Sequence, residues 1–180
     1  MDEIVLKALN KWPNVPYCFN WLGLDARGDW YMRDENTQAK GPFSIYKGDR
    51  LTHQKLIAFI SRNYQADEKG QWYFQNGPQR VYVELECTPW IWRVHPVDQG
   101  FELWSHTGCQ ANLVSAFEDE QGMLYLLTHL GLGRVHSLDM WAGVNMLETR
   151  ELQIQSLSLN DLANRFKFVQ SPMQHRLDQA

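Results

Sequence analysis

Short runs in which apolar and polar residues alternate recur along the chain and predict β-strands. The clearest run covers residues 81–86, where one face carries Val81, Val83 and Leu85 and the other carries Tyr82, Glu84 and Glu86. Further strands are predicted at residues 90–94, 101–104, 113–117 and 152–155. Because Gly, Pro and Asp separate these short runs, the pattern is typical of mostly antiparallel β-sheets.

Helical spacing of apolar residues is confined to a few short segments. They are residues 2–9, 52–61, 137–147 and 158–168. The second segment has an apolar stripe made of Leu56, Ile57, Phe59 and Ile60. Thr52 is expected to cap this helix, and the stripe is expected to pack on the Val81 face of the strand.

The order of these elements divides the chain into two halves. A hairpin, a helix and further strands come first, and similar elements follow a joint at residues 95–100 that contains proline and glycine. We expect an amino-terminal unit over residues 1–97 and a carboxyl-terminal unit over residues 98–180. The chain beyond Gln170 is polar, contains Pro172 and is expected to fray. The predicted fold class is α+β, with mostly antiparallel β-sheets, a few short helices and two loosely repeated halves.

The motif Asp-x-x-Gly occurs three times, each time before bulky residues that open a strand. It covers residues 25–28, 67–70 and 119–122. The aspartate can accept backbone hydrogen bonds within a turn, and glycine adopts the positive φ that tight hairpins need. A calcium loop needs further ligands at fixed positions and a terminal glutamate, which these segments lack. We therefore predict three hairpin turns.

Three sequence blocks carry a resemblance to known families. They are residues 23–31, residues 53–59 and residues 76–90, the last of which holds a Pro-x-x-Val-x-Val-Glu strand and the sequence Thr-Pro-Trp. The blocks resemble an uncharacterised proteobacterial family of about this length. More distantly, they resemble another family of unknown function, whose members have two structurally repeated domains and a suggested role in signalling. The resemblance covers residues 20–95 well and residues 100–150 weakly; it implies a two-part, β-rich α+β fold and carries no catalytic residues.

Charge and cysteine usage narrow the classes of partner. The chain has 17 Lys and Arg against 21 Asp and Glu, a formal net charge of −4, and no basic run, so no nucleic-acid partner is expected. No apolar run approaches the ~20 residues of a spanning helix, and the acidic start differs from a secretory signal, so no membrane partner is expected. The widely spaced Cys18, Cys87 and Cys109 indicate buried or half-buried thiols rather than disulfides. We expect a cytoplasmic protein.

Histidine spacing offers one arrangement with metal-binding chemistry. No histidine pair has the spacing that places two rings on one face of a helix or strand, but His129, His136 and Asp139 could assemble a three-ligand site. The structural alternative is that these residues mark the ends of neighbouring elements, and no metal or cofactor is expected. The nearby Gly-Leu-Gly-Arg at residues 131–134 lacks the third glycine of a dinucleotide-binding loop.

Aromatic residues are unusually frequent, with eight Trp, seven Tyr and eight Phe. Most are expected in the core, since each buries ~150–250 Å². Trp90 and Trp92, which share one face of a strand, could instead form the floor of a groove. That alternative gives the candidate ligand-binding residues Arg80, Glu84, Glu86, Trp92 and Arg93. They lie on two strands that are expected to pair antiparallel, where a solvated ladder of ion pairs is the structural alternative.

Three hypotheses of function follow. The leading one is a non-enzymatic module that binds a small ligand or a protein and has a regulatory role. The second is a metal-assisted hydrolase with a site near His129, His136 and Asp139. The third is a structural subunit that self-associates through an exposed sheet edge, as in a homodimer.

Overall fold

The computed structural model describes residues 1–178, which form thirteen β-strands and six α-helices. The strands are β1 Cys18–Leu24, β2 Trp30–Met32, β3 Asp49–Arg50, β4 Tyr64–Ala66, β5 Trp72–Asn76, β6 Gln79–Leu85, β7 Trp90–Val97, β8 Gly100–Ser105, β9 Gln110–Ala111, β10 Leu113–Glu118, β11 Leu124–Thr128, β12 Gly131–Val135 and β13 Ile154–Ser156. The helices are α1 Glu3–Lys11, α2 Glu35–Lys40, α3 Gln54–Arg62, α4 Met140–Thr149, α5 Leu159–Phe166 and α6 Pro172–Asp178, and a 3-10 turn at Ser137–Asp139 precedes α4. None of these helices is both long enough and apolar enough to cross a membrane.

Two mixed β-sheets organise the strands. The first has the order β3-β2-β1-β6-β5-β4, and the second has the order β13-β10-β11-β12-β7-β8-β9. Strand β1 runs parallel to β6, β10 to β13 and β12 to β7. The other neighbouring strands are antiparallel. The predicted α+β class with mostly antiparallel sheets is therefore confirmed.

The chain divides into two compact units, each built around one sheet. The first comprises residues 1–25, residues 29–86 and the chain from Phe168 onward, and the second comprises residues 26–28 and 87–167. The predicted boundary at residue 97 is corrected by this division, because β7 pairs with β8 as far as Val97 and belongs to the second sheet. Helix α6 was expected in the second half, but it belongs to the first unit. The two sheets differ in strand number and order. The likeness of the two halves therefore does not follow from the sheets and stays a prediction.

The three Asp-x-x-Gly segments form the predicted turns. Gly28, Gly70 and Gly122 have positive φ angles of 83°, 76° and 72°. Asp67 and Asp119 each accept the backbone N–H groups two and four residues further on, at 2.9 Å. The carboxylates thus satisfy donors that the tight turns leave without a backbone partner.

Helix α3 covers one face of the first sheet, as predicted. Its cap is His53, whose Nδ1 accepts a backbone N–H at 3.2 Å, in place of the expected Thr52. Phe59 meets the ring of Phe74 edge-on, with centroids 5.4 Å apart. Phe74 lies opposite Val81 across β5 and β6, so the Val81 face of β6 is the one that α3 covers.

Pro172–Asp178 form helix α6, so the prediction that the chain frays beyond Gln170 was wrong for these residues, and its last two residues lie outside the described part of the chain. The Gln170 carbonyl accepts the Leu85 N–H at 2.8 Å, and Val169 pairs with Gln71 as an isolated parallel bridge. Pro172 occupies the first position of the helix. An N–H group at this position has no partner within the helix, so proline costs no hydrogen bond there. The proline therefore begins α6 instead of breaking it, and α6 packs on β1 and β6.

Trp90 and Trp92 lie in the core of the second unit. Their rings stack with centroids 5.9 Å apart, and their indole N–H groups donate to the carbonyls of Leu130 and Leu126 at 2.9 Å. Gly133 on β12 permits this packing, because a Cβ there would lie 2.7 Å from both the Cβ and the carbonyl oxygen of Trp90. The core interpretation is confirmed, and the interpretation of these rings as a groove floor was wrong.

The edges of both sheets are short. Strands β3 and β9 have two residues each, and β4 and β13 have three. Short edges expose few backbone groups to a neighbouring chain. Few backbone groups are therefore available for self-association through a sheet edge.

The three cysteines differ in exposure. Cys18 is half-buried and Cys87 is buried, as expected, but Cys109 is exposed. It lies in the turn between β8 and β9, where its backbone N–H is bonded to the Ser105 hydroxyl at 3.0 Å. The local turn therefore holds Cys109 at the surface.

Candidate functional site

A pocket of about 840 Å³ opens in the first unit, on the face of β6 that carries Arg80 and Tyr82. Strands β1 and β5 contribute aromatic rings to it, the turn that starts at Asp67 forms another side, and α6 contributes Arg176. Side chains alternate along a strand, so this face is opposite the one that α3 covers. Helix α6 thus converts an open sheet face into a pocket.

Four aromatic side chains form a cluster at the pocket. Phe19 and Tyr82 stack face to face, with ring centroids 4.5 Å apart and an interplanar angle of 7°. Tyr17 and Tyr73 each lie 5.7 Å from Tyr82, the first edge-on and the second tilted. Such a cluster is rigid, because each ring restricts the rotation of its neighbours.

Two arginines lie over this aromatic cluster. The Arg176 guanidinium lies 4.8 Å from the ring centroid of Phe19. The Arg80 guanidinium lies 4.6 Å from the ring of Tyr73 and 5.4 Å from that of Tyr17. Neither arginine forms an ion pair with a carboxylate of residues 1–178. A guanidinium group over an aromatic ring keeps N–H groups that can bind a further partner.

Asp67 and Tyr82 are bound to each other at the wall of the pocket. The Tyr82 hydroxyl donates to Asp67 Oδ2 at 3.0 Å, while Oδ1 accepts two backbone N–H groups of the turn. Burial raises the pKa of Tyr82 to about 12. The hydrogen bond to Asp67 also raises this pKa, whereas the hydrogen bond with Arg80 lowers it. Tyr82 is therefore a neutral donor at physiological pH.

Positive charge exceeds negative charge among the lining side chains. The cations are Lys69, Arg80 and Arg176, and the carboxylates are Asp67 and Glu68. Asp67 accepts four hydrogen bonds, from two backbone N–H groups of the turn, the Gln71 side chain and the Tyr82 hydroxyl. The pocket thus has a cationic lining in a chain whose net charge is −4.

Of the five sequence-predicted site residues, Arg80 alone lines this pocket. Glu84 lies on the same face of β6 but beneath α6, where it is 4% exposed and accepts the Met173 N–H at 3.1 Å. Burial raises the pKa of Glu84, against the lowering effect of its hydrogen bonds and of the Arg33 charge. Glu86 is ion-paired with Lys47 at 2.8 Å.

The other two predicted residues, Trp92 and Arg93, belong to the second sheet. Strand β6 cannot pair with β7 as expected, because β1 and β5 already occupy both of its edges. Trp92 is fully buried. Arg93 pairs with Asp139 at 2.5 Å; burial raises the pKa of that carboxyl, but the bonds from Arg93 and the Val94 N–H outweigh it and hold the pKa below its usual value.

The residues of the metal hypothesis have other partners. His129 Nδ1 accepts the Asn112 N–H, and His136 Nδ1 accepts the Leu138 N–H, both at 3.1 Å. Asp139 is bound by the Arg93 guanidinium. Within the described part of the chain, no three His, Cys, Asp or Glu side chains come together to hold a metal ion. The structure therefore does not assemble the site that the hydrolase hypothesis requires.

Most of the pocket could not be predicted from the sequence. Tyr17 and Phe19 are two residues apart, which places them on one face of an extended chain, but nothing local connects them to β6. Tyr73 faces Tyr82 through strand pairing, a register that the predicted hairpin could have indicated. His175 was assigned to a frayed tail, together with Arg176, so no sequence signal placed the helix at the pocket.

Comparison with known proteins leads to families without an assigned activity. The DUF2944 family model, whose description reads "Protein of unknown function (DUF2946)", matches residues 1–175. The crystal structure of a DUF1285 family protein from Silicibacter pomeroyi DSS-3 is similar, with a TM-score of 0.48 and 12% sequence identity, over 81% of this chain and 84% of that chain. No curated protein matches the chain. The family match confirms the predicted resemblance to a family of unknown function.

Proposed function

The chain belongs to the DUF2944 family of proteins of unknown function, and we propose that it is a non-enzymatic binding module that takes a small organic anion in the pocket of its first unit. The observation that carries the proposal is the pair Arg80 and Arg176, which lie over aromatic rings and have no carboxylate partner in the described chain. Arginine binds carboxylate and phosphate groups through two parallel N–H bonds. A ligand anion would supply the partner that the fold does not.

The size and lining of the pocket favour an organic ligand over an inorganic ion. Pockets for organic ligands have volumes of about 300–1,000 Å³, and this one has about 840 Å³. Pro16, Tyr17, Phe19 and Ala66 give it apolar surface beside the arginines. A bare phosphate would leave that surface in contact with water, whereas an apolar or aromatic body would cover it.

The bonding of Tyr82 and Asp67 supports binding without chemistry at these two groups. A general base must be able to take a proton near neutral pH. Tyr82 holds its proton, since its pKa is about 12, and Asp67 is occupied by the turn and by Tyr82. These groups shape the pocket, and the arginines provide its recognition chemistry.

We further propose a regulatory role in the cytoplasm. Cys18 and Cys109 are free thiols, which is typical of proteins from reducing compartments. A module that binds an anion without consuming it would report the concentration of that anion. The ligand would then be a signal and not a substrate.

Calorimetric titration with 1-naphthyl phosphate, an organic anion of suitable size, tests the proposal. Neutral 1-naphthol lacks the charge, and inorganic phosphate lacks the organic body. We expect 1-naphthyl phosphate to bind with a Kd of about 1 mM or below, equivalent to about −4 kcal/mol. Each of the other two probes should bind at least about tenfold more weakly.

Variants of the two arginines locate the binding. Arg80→Gln and Arg176→Gln should each weaken the binding of 1-naphthyl phosphate by about tenfold or more, because a charge-assisted hydrogen bond is lost. Arg50→Gln is the matched control, since Arg50 is an exposed arginine of the same unit that pairs with Asp29 outside the pocket. Equal affinity of the wild type and both pocket variants would contradict the proposal, as would the absence of binding to the wild type.

A further inference from the structure

We infer that Glu84 is a positioning residue for the anion: it holds α6 so that Arg176 faces the pocket. This inference rests on the proposed anion binding and concerns how the same site is set. Glu84 does not line the pocket. Its contact with α6 offers a route by which Glu84 can act on the ligand.

The contacts of Glu84 fix the start of α6. Glu84 lies on the same face of β6 as Arg80 and Tyr82, and its side chain is almost completely buried. Its Oε1 accepts the Met173 N–H at 3.1 Å, and the Ser171 side chain is hydrogen-bonded to the same carboxyl group. A buried carboxyl group needs such donors, because it has lost its hydration. The bond also satisfies a backbone N–H of the first helical turn.

The start of α6 determines where Arg176 lies. Arg176 follows Met173 by three residues, which places it about one helical turn further along α6. Its guanidinium contacts the Phe19 ring at 4.8 Å, and an exposed cation–π contact of this kind is weak. Leu177, the next residue, is 56% exposed and adds little packing. The bonds at the start of the helix, together with the buried Pro172, therefore hold Arg176 in place.

A double-mutant cycle separates positioning from general destabilisation. We expect Glu84→Ala to weaken 1-naphthyl phosphate binding by about tenfold, because the bound position of Arg176 must then be ordered by the ligand. In an Arg176→Gln background the same substitution should change the affinity by less than about twofold, since Arg176 is no longer there to be positioned. In an Arg80→Gln background, Glu84→Ala should still weaken 1-naphthyl phosphate binding by about tenfold.

Two further measurements check the route through α6. Glu84→Gln retains the Oε1 acceptor for Met173 and should keep the affinity within about twofold of the wild type. Amide hydrogen exchange of residues 173–178 should be faster in Glu84→Ala and unchanged in Arg176→Gln. Ligand should slow exchange of these amides in the wild type, because coupling between binding and helix docking is reciprocal. If Glu84→Ala does not fold, Ser171→Ala provides the same test with a smaller loss.

The outcomes distinguish this inference from the proposed function. Faster exchange in α6 with unchanged affinity in Glu84→Ala would overturn the positioning role and leave anion binding intact. Equal losses in all three backgrounds would also overturn it, because the effect would then not depend on Arg176. Absence of binding to the wild type would end both proposals.

Discussion

Asp67 and Asp119 are single residues whose carboxylate oxygens accept their hydrogen bonds from groups within the fold. Each accepts two backbone N–H groups in its turn and one tyrosine hydroxyl, from Tyr82 at 3.0 Å and from Tyr125 at 2.7 Å. Their carboxylates have a structural role that the Asp-x-x-Gly motif already indicates. Arg80 has aromatic neighbours and no carboxylate, and this difference is why it is proposed as a ligand contact.

Asp119→Ala tests the structural role of these turns in the second unit. The substitution removes the acceptor of the Tyr125 hydroxyl, and Tyr125 is 1% exposed. A buried hydroxyl without a partner costs about 1–3 kcal/mol, so the free energy of unfolding in urea should fall by that amount. Glu120→Ala, at the exposed neighbouring position, is the control and should change the stability by less than about 0.5 kcal/mol. Equal effects of the two substitutions would show that the bond contributes nothing.

Glu84 makes stability depend on pH. Burial raises the pKa of Glu84 in the folded protein above its ordinary value of 4.5. Below pH 4.5 both states hold the proton, and the contribution of the side chain is fully present. As the pH rises through the raised pKa, the unfolded chain releases its proton first and this stability is lost.

Glu84→Gln removes this titration, and urea unfolding over a series of pH values measures the result. The free energy of unfolding of the variant relative to the wild type should increase from acidic to neutral pH. Glu35→Gln, at an exposed position of α2, serves as the control. A relative stability that does not change with pH would contradict the assigned burial of the carboxyl group.

Elements were predictable where the stabilising groups lie close together in the sequence. Ser158 begins α5 as its sequence indicated, with its hydroxyl accepting the Asp161 N–H at 3.1 Å. Helix α6 has a comparable local signal, since the Ser171 hydroxyl accepts the Gln174 N–H at 3.1 Å and Pro172 occupies the first helical position. Its start is also bonded to Glu84, 89 positions earlier in the chain. Fraying was predicted because the polar segment and its proline were not interpreted as a capped helix start.

Strand β12 provides a test of packing within an element. Gly133→Ala would place a Cβ 2.7 Å from the Trp90 carbonyl oxygen, and backbone cannot move aside as a flexible side chain can. Overpacking of this kind costs about 1–3 kcal/mol, measurable as a lower urea midpoint. Gly143→Ala in α4 is the matched substitution: its Cβ would meet the tip of the Leu124 side chain, and alanine favours a helix by about 1 kcal/mol over glycine. Similar losses in both variants would show that Gly133 has no special packing role.

In the molecule as a whole, the candidate site could be predicted from the sequence only in part. Alternation along β6 indicates the correct face, because Arg80 and Tyr82 do share it. The neighbouring strand was assigned wrongly, since proximity in sequence suggested β7 while β1 and β5 occupy the two edges of β6. Trp92 and Arg93 consequently belong to the second unit. The site depends on parallel pairing and on the return of the chain at α6, neither of which leaves a local pattern.

The pocket of the first unit differs in charge from the chain as a whole. The whole chain has a net charge of −4, yet Arg80 and Arg176 give the pocket a local cationic surface on an aromatic support. Long-range attraction of anions by an acidic chain is weak, so recognition must come from these short contacts. Affinity for an organic anion should therefore depend far more on the two arginines than on other cationic side chains of the unit.

A crystal structure of the protein with 1-naphthyl phosphate bound tests this claim most directly. The account predicts the phosphate within hydrogen-bond distance of the Arg80 or Arg176 guanidinium, at about 2.7–2.9 Å, with the naphthyl ring against the apolar lining of the pocket. A ligand bound at another site, or one seated in the pocket with its phosphate turned away from both arginines, would contradict it.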